Sequence, residues 1–282
     1  MKVVAIIQAR MSSSRLPGKV MLDIAGKPML RRVVDRVRRA RLIDGVVVAT
    51  TKEKSDHVIG QYCYENFIPC AMGSLNDVLD RYYMAAHVAR ADVIVRVTAD
   101  CPVIDPDVMD EAVSKLEIAN CELGNSQPAI SNLQFDFVCN RLPPPFTRTF
   151  PIGLDVEVCT FSALERAWKE STETFHREHV MPYIYEGVAL TTTNHQLSTG
   201  VSPRGFKIAQ LHNAIDYGSH RWTVDTPEDL TFIREVFARL QDKPNFTWHD
   251  VLHVVENEPE LTKINSGVRH KTMKETDERS NV

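Results

Sequence analysis

Residues 3–19 read VVAIIQARMSSSRLPGK. Val3 to Ile7 is short, apolar and mostly β-branched, which predicts a buried strand rather than a helix. Behind it come Arg10, Arg15 and Lys19, with three serines, Pro17 and Gly18 between them. A loop in that place can turn backbone N–H groups and fixed cations toward one ligand. Gly18 permits close approach of the backbone, and the arginine and lysine heads suit a polyphosphate. The alternative is a solvated turn whose arginines pair with nearby acids. Neither G-x-x-x-x-G-K-[ST] nor G-x-G-x-x-G occurs in the stretch, which counts against a P-loop NTPase and a nicotinamide dehydrogenase.

Outward from this strand, short apolar runs alternate with helical spacing. Val46 to Ala49 and Val93 to Val97 predict further buried strands. Met29, Leu30, Val33, Val34 and Val37 recur at helical intervals, as do Val78, Leu79, Tyr82, Tyr83 and Ala86. Asp105-Pro106 fits an N-cap followed by proline in the first helical position. Strand and helix in alternation predict βαβ units and an α/β fold on a parallel sheet, with ligands beyond the carboxyl ends of the strands. Residues 118–150, with their Asn, Gln and Pro clusters, predict an irregular excursion. Leu154 to Val158 then reads as a strand, and Ser162 to Glu165 as a capping box. Trp222 to Val224 reads as a short strand into Asp225, and Thr226-Pro227-Glu228-Asp229 opens a helix.

The 282 residues suffice for one large α/β domain, taken here as 1–260 with a polar tail over 261–282. A net charge of −4 argues against a nucleic-acid partner, so phosphate binding should be local. The six cysteines never fall at C-x-x-C spacing, which predicts reduced thiols rather than zinc ligands. The first apolar run is too short for a signal sequence, and no stretch is long enough for a membrane span. A cytoplasmic protein is the expectation.

Two aspartates complete the candidate set. Asp100 follows the Val93–Val97 strand in VTADCP, and Asp225 precedes the helix at Thr226. Each has a plain reading, as a turn or cap aspartate. Together on one sheet edge with the cationic loop, they match a metal–nucleoside triphosphate, because magnesium takes one or two carboxylates and fills its shell from water and phosphate.

The segment QARMSSSRLPGKVMLDIAGKPML resembles the signature of the cytidylyltransferase family that makes CMP-activated sugar acids, among them CMP-Kdo and CMP-sialic acid synthetases. GSLNDVLDRYY, RVTADCPVIDP, FPIGLDVEV, REHVMPYIY and RWTVDTPEDL are similar to the SpsF-like branch, named for spore coat polysaccharide biosynthesis. The resemblance implies a Rossmann-like three-layer α/β/α nucleotide-diphospho-sugar transferase fold. Its sheet would be mostly parallel, with a small inserted lobe at about 118–200 for sugar binding and dimerisation. It implies CTP as co-substrate, Mg²⁺ on Asp100 and Asp225, and a homodimer. It assigns catalysis to Arg10, Lys19, Asp100 and Asp225. It places the nucleotide on Gln8, Ala9, Arg10, Ser12, Arg15, Gly18 and Lys19, and the base loosely near Ser74, Asp77 and Arg81. Asp155, Glu157, Arg177 and His179 are left for the acceptor, His179 being either a general base or a structural histidine. Thr98-Ala99-Asp100 stands where the Kdo enzymes carry Gln-Gly-Asp, and Gly73-Ser74 where they carry S-G-T-x-R. A GT-A glycosyltransferase, which normally brings Asp-x-Asp, and a non-catalytic nucleotide-binding protein are the rival readings.

Overall fold

The computed structural model describes residues 1–116, 134–194 and 196–269. The chain begins with β1 (Val3–Gln8), the small hairpin β2 (Asp23–Ile24) and β3 (Lys27–Pro28), and α1 (Met29–Val37). It continues through β4 (Gly45–Thr51), α2 (His57–Glu65), β5 (Cys70–Gly73), α3 (Val78–Ala89), β6 (Val93–Thr98) and α4 (Pro106–Leu116). Then come β7 (Phe137–Cys139), β8 (Glu157–Thr160), α5 (Phe161–Glu170), α6 (Thr174–His179) and α7 (Pro182–Tyr185). The strands β9 (Thr191–Asn194), β10 (Leu197–Val201) and β11 (Lys207–Leu211) precede α8 (Pro227–Arg239), α9 (Trp248–Asn257) and α10 (Glu260–Lys263).

Nine strands make one sheet in the order β5-β4-β1-β6-β8-β7-β11-β10-β9. The half that carries the predicted loops, β5-β4-β1-β6, is parallel throughout. Side chains alternate across it. Val3, Ala5 and Ile7 face a core shared with α1, α4, α8 and α9. Val4 and Ile6 face a second core with α3, α5 and α7. Both faces are buried, which is why β1 reads as an apolar run in the sequence and β6 as one interrupted only by Arg96. The result is the expected α/β/α sandwich.

Register aligns the strand ends. Gln8 sits opposite Ala49 on one side and Thr98 on the other. Ala9 N–H then donates to Ala49 O (3.1 Å) and Ala99 N–H to Gln8 O (3.0 Å), so the turns after β1 and β6 leave the sheet at one level.

Several local expectations need correction. The strand expected at Leu154 to Val158 begins only at Glu157. Before it, the Asn140 side chain donates to Leu154 O (2.7 Å) and accepts from Val156 N–H (2.9 Å), doing for the backbone what a neighbouring strand would do. Helix α5 is capped by Thr160, whose Oγ1 accepts from Ala163 N–H (3.0 Å), and not by Ser162, because the chain turns straight from β8 into the helix. Trp222 to Val224 forms no strand; a single bridge joins Ile152 to Arg221. The irregular stretch 118–150 contains β7, which is buried in the sheet between β8 and β11; residues 117–133 lie outside the described residues. At the start of the segment expected as a tail from 261, Leu261 and Asn265 are buried; residues 270–282 lie outside the described residues. The described cysteines are free thiols. Among the described residues no helix is long and apolar enough to cross a membrane.

Candidate active site

The loop after β1 is held at both ends. Met11 N–H donates to Asp56 Oδ1 (2.7 Å), and Asp56 is buried in the turn after β4, where Thr51 Oγ1 also bonds to it. Gly18 N–H closes the loop on Met11 O (2.8 Å). Gly18 has φ +73°, a left-handed conformation that glycine adopts without the Cβ penalty. From there a short 3₁₀ turn carries Lys19 inward.

Lys19 is buried beneath the loop and spends its ammonium on three oxygens: Asp100 Oδ2 (2.8 Å), Val224 O (2.8 Å) and Asp225 Oδ1 (2.9 Å). Burial opposes its charge, but the two carboxylates outweigh that and raise its pKa. On the far oxygen of Asp225, Arg15 Nη2 lies at 3.1 Å and Arg221 Nη2 at 2.8 Å. Burial alone would raise the Asp225 pKa; the charges and hydrogen bonds of Lys19, Arg15 and Arg221 hold it well below the ordinary carboxylate range. The structure thus gathers Arg15, Lys19, Asp100 and Asp225 from loops far apart in sequence.

Two backbone devices fix the aspartates. Val224 N–H and Thr223 Oγ1 both donate to Asp100 O (2.9 and 3.1 Å), tying the turn after β6 to the approach to α8. Gly153 lets the 150s chain lie against that approach. With φ +107°, it sits where an added Cβ would come within 2.7 Å of Thr223 N and Trp222 C. Beyond Asp225 the expected helix opens, with Pro227 at its start and a capping box between Thr226 and Asp229.

Asp229 does more than cap α8. It is fully buried and receives Arg221 through Nε (2.9 Å) and Nη2 (3.0 Å), and Asp225 N–H at 2.9 Å. Asp56, Arg221 and Asn265 were not among the residues singled out from sequence. Arg221 stands four residues before Asp225, a spacing visible in RWTVD; Asp56 was hidden in the charged run KEKSD.

The remaining candidates fall into three groups. Arg10 is half-buried at the loop's start, and its charge is felt by Arg81. Arg81 is 2 % exposed, and its three guanidinium nitrogens find no hydrogen-bond partner among the described residues; nor does Gln8 Oε1. Burial lowers the Arg81 pKa. Ser12 and Ser74 are exposed. Arg177 reaches Asp77, its Nε lying 3.0 Å from both carboxylate oxygens and its Nη1 2.7 Å from Trp168 O. Thus one residue expected at the base and one expected at the acceptor bind each other at the α3 N-cap. Glu157 is buried against Arg96, and Asp155 pairs with Arg148, with Nη2 to Oδ2 at 3.0 Å. The His179 ring packs on Phe175 at 4.8 Å.

Cations and carboxylates at the carboxyl edge of a parallel sheet, inside an α/β/α sandwich, are the equipment of a nucleotidyltransferase. The family model for cytidylyltransferases matches residues 4–236, and the chain belongs to that family. It is therefore an enzyme that uses CTP. The chain is similar to a 3-deoxy-manno-octulosonate cytidylyltransferase of Geotalea daltonii, with 36% identity over 86% of this chain and all of the relative. It is also similar to the spore coat polysaccharide biosynthesis protein SpsF of Bacillus subtilis, with 26% identity over 92% of this chain and 95% of the other. A solved cytidylyltransferase from Leptospira borgpetersenii superposes with a TM-score of 0.78 at 30% identity, covering 96% of this chain and all of that one.

Proposed function

We propose that the enzyme joins the cytidylyl group of CTP to a hydroxyl of a sugar acid or related sugar, giving a CMP-sugar and pyrophosphate for surface polysaccharide or glycan synthesis. The observation that carries the reading is the Lys19 ammonium held between Asp100 and Asp225, at the edge where the cationic loop opens. In the reaction the acceptor oxygen bonds to the α-phosphorus, the bond from that phosphorus to the β-bridging oxygen breaks, and the hydroxyl proton is lost. Catalysis of this kind is mostly positioning and charge neutralisation. Arg10 and Arg15 bind the triphosphate and offset charge on the departing pyrophosphate, while Lys19, its three donors engaged by Asp100, Val224 O and Asp225, adds its charge from beneath the loop. The exposed Ser12 hydroxyl and the backbone at Ala9 and Gly18, whose own N–H groups are spent inside the fold, border the triphosphate's path. The unmet polar groups of Arg81 and Gln8 support a base pocket next to the loop, since buried donors and acceptors without partners are costly unless a ligand supplies them. Ser74 lies on the same side, while Asp77 serves through its grip on Arg177.

Asp100 and Asp225 fit a magnesium ion: an ammonium already stands between them, and magnesium needs only one or two carboxylates beside phosphate and water. Among the described residues no group of three or more His, Cys, Asp or Glu forms a closed metal cage. When bound, the ion supplies neutralisation of phosphate charge.

On the acceptor side, Asp155 with Arg148 and the half-buried His179 are the groups for a sugar's hydroxyls or carboxylate. Glu157 and Arg177 act through their partners Arg96 and Asp77. A homodimer and a cytoplasmic site of action complete the proposal; sedimentation of the purified chain checks the first. The reading is tested by pyrophosphate release, crossing the four nucleoside triphosphates with a panel of sugar acids and sugar phosphates. Release with CTP and one acceptor class supports it. Release only with another nucleotide, or binding of a nucleotide sugar without pyrophosphate release, overturns it.

A further inference from the structure

We infer that Asn265, from the segment beyond the family match, is a positioning residue for the Asp225 carboxylate. The inference rests on the role proposed for Asp225. The chain of contacts is short. Asn265 Nδ2 donates to Asp229 Oδ1 (3.0 Å) and to Arg221 O (3.1 Å), and the side chain is buried, with only 5 % of the residue exposed. One amide therefore holds both halves of the Arg221–Asp229 pair, one through its carboxylate and one through its backbone.

Asp229 is filled on every side. Oδ1 accepts from Arg221 Nε and from Asn265; Oδ2 accepts from Arg221 Nη2, Asp225 N–H and Thr226 N–H. Its orientation fixes the fork of Arg221, and the fork's Nη2 fixes Asp225 Oδ2 at 2.8 Å. Asp225 is thus set from behind by its own amide on Asp229 and by the Arg221 head, leaving its other oxygen to Lys19. Remove the Asn265 amide and a fully buried carboxylate oxygen loses one of its two donors. The carboxylate then turns to recover one, and the Arg221 fork turns with it. Hydrogen bonds to buried charged groups are among the stronger ones, so the orientation depends on the amide. The segment that supplies it is anchored separately by the burial of Leu261. Thr262, Asn265 and Ser266 also line a cavity of about 500 Å³ that reaches Arg221 and Trp222, so there is room for a longer amide at 265.

The test measures Mn²⁺ binding by electron paramagnetic resonance, in the presence of a non-hydrolysable CTP analogue and without acceptor, alongside thermal unfolding. Asn265→Leu keeps the size and removes both donors; it should weaken Mn²⁺ binding roughly tenfold, the loss of one charged hydrogen bond's worth of orientation. Asn265→Gln should recover most of that affinity. A merely structural asparagine would lower the unfolding temperature in the Leu variant and leave Mn²⁺ affinity unchanged, and that result overturns the inference. Should Asn265→Leu fail to fold, Asn265→Ser replaces it, with an expected intermediate loss; unchanged affinity in that variant overturns the inference equally. Asp225→Asn is the control. If it binds Mn²⁺ as the native protein does, the role proposed for Asp225 fails. If it does not bind while Asn265→Leu does, the inference about Asn265 fails alone.

Discussion

The Lys19 ammonium lies 2.8 Å from Asp100 Oδ2, a contact between residues 81 positions apart that joins the loop after β1 to the turn after β6. With Asp225 on its other side, Lys19 acts as an internal counter-ion between two carboxylates that would otherwise repel each other at the sheet edge. Removing it should leave those carboxylates open to another cation. Lys19→Met is expected to bind Mn²⁺ without nucleotide more tightly than the native protein does, and to be less stable by about 3 kcal/mol because a buried pair has lost one partner. Titration with Mn²⁺ and denaturant unfolding read the two effects.

Asp100→Asn keeps the shape of the side chain and removes its charge. Its backbone carbonyl still receives Val224 N–H and Thr223 Oγ1, so the turn should survive. Turnover should fall on the order of 10²–10³, the range found when a preorganised charge is lost. Near-native pyrophosphate release with an unchanged unfolding temperature would remove Asp100 from the mechanism.

The parallel half of the sheet was legible because its strands are buried on both faces, so that Val3 to Ile7 and, apart from Arg96, Val93 to Val97 are short, apolar and mostly β-branched. Asp100 and Asp225 were legible as residues that follow strands or open helices. What could not be read were contacts made across the fold. Asn140 replaces a strand partner with its own side chain, which delays β8 and hides β7 among polar neighbours. Asp229 looked like an ordinary cap because its local role is real; the burial that makes it a hub comes from Arg221 and Asn265, and no sequence period links those positions. Arg177 and Asp77, 100 residues apart, could only be seen as two candidates until the fold paired them.

Acid should weaken the site in a defined direction. The folded Asp225 holds its proton less tightly than the ordinary value of 3.8, since the Lys19, Arg15 and Arg221 charges outweigh its burial. The unfolded chain therefore takes up the proton first. The stabilising contribution is complete above the unfolded value, about pH 4, and is lost as pH falls toward the folded one. At the alkaline end the raised Lys19 pKa keeps its contribution intact below 10.5 and loses it as pH climbs past the folded value. The stability gap between the native protein and Asp225→Asn should accordingly narrow below about pH 4, by urea unfolding across pH. A gap constant from pH 7 to pH 2 would show that Asp225 is not held by these charges.

Gly18 is expected to tolerate no side chain. Gly18→Ala forces a Cβ onto a backbone with φ +73° and brings it to 3.3 Å from Met11 Cε, inside the loop that Asp56 anchors. The left-handed conformation costs an L-residue about 1–2 kcal/mol. Because the loop carries Arg10 and Arg15, the cost should appear as a raised KM for CTP more than as a lowered unfolding temperature. Steady-state kinetics with varied CTP decides it; an unchanged KM would mean that the loop does not hold the nucleotide.

Glu157 separates a residue that binds an acceptor from one that supports the sheet. It lies on β8 opposite Arg96 of β6, and both side chains are largely buried. The Glu157 carboxylate holds the Arg96 charge where burial alone would expel it, and raises the Arg96 pKa. Breaking a buried pair by removing one charge costs about 3–5 kcal/mol, because the other charge stays behind without compensation. Glu157→Gln should therefore lower stability by an amount in that range, while the double variant Arg96→Met, Glu157→Gln should recover much of it. If Glu157 instead touches the acceptor, Glu157→Gln would raise the acceptor's KM at nearly native stability, and the double variant would not restore it. Unfolding by urea and acceptor kinetics on the same three proteins distinguish the two, and the geometry of the Arg96 pair favours the first.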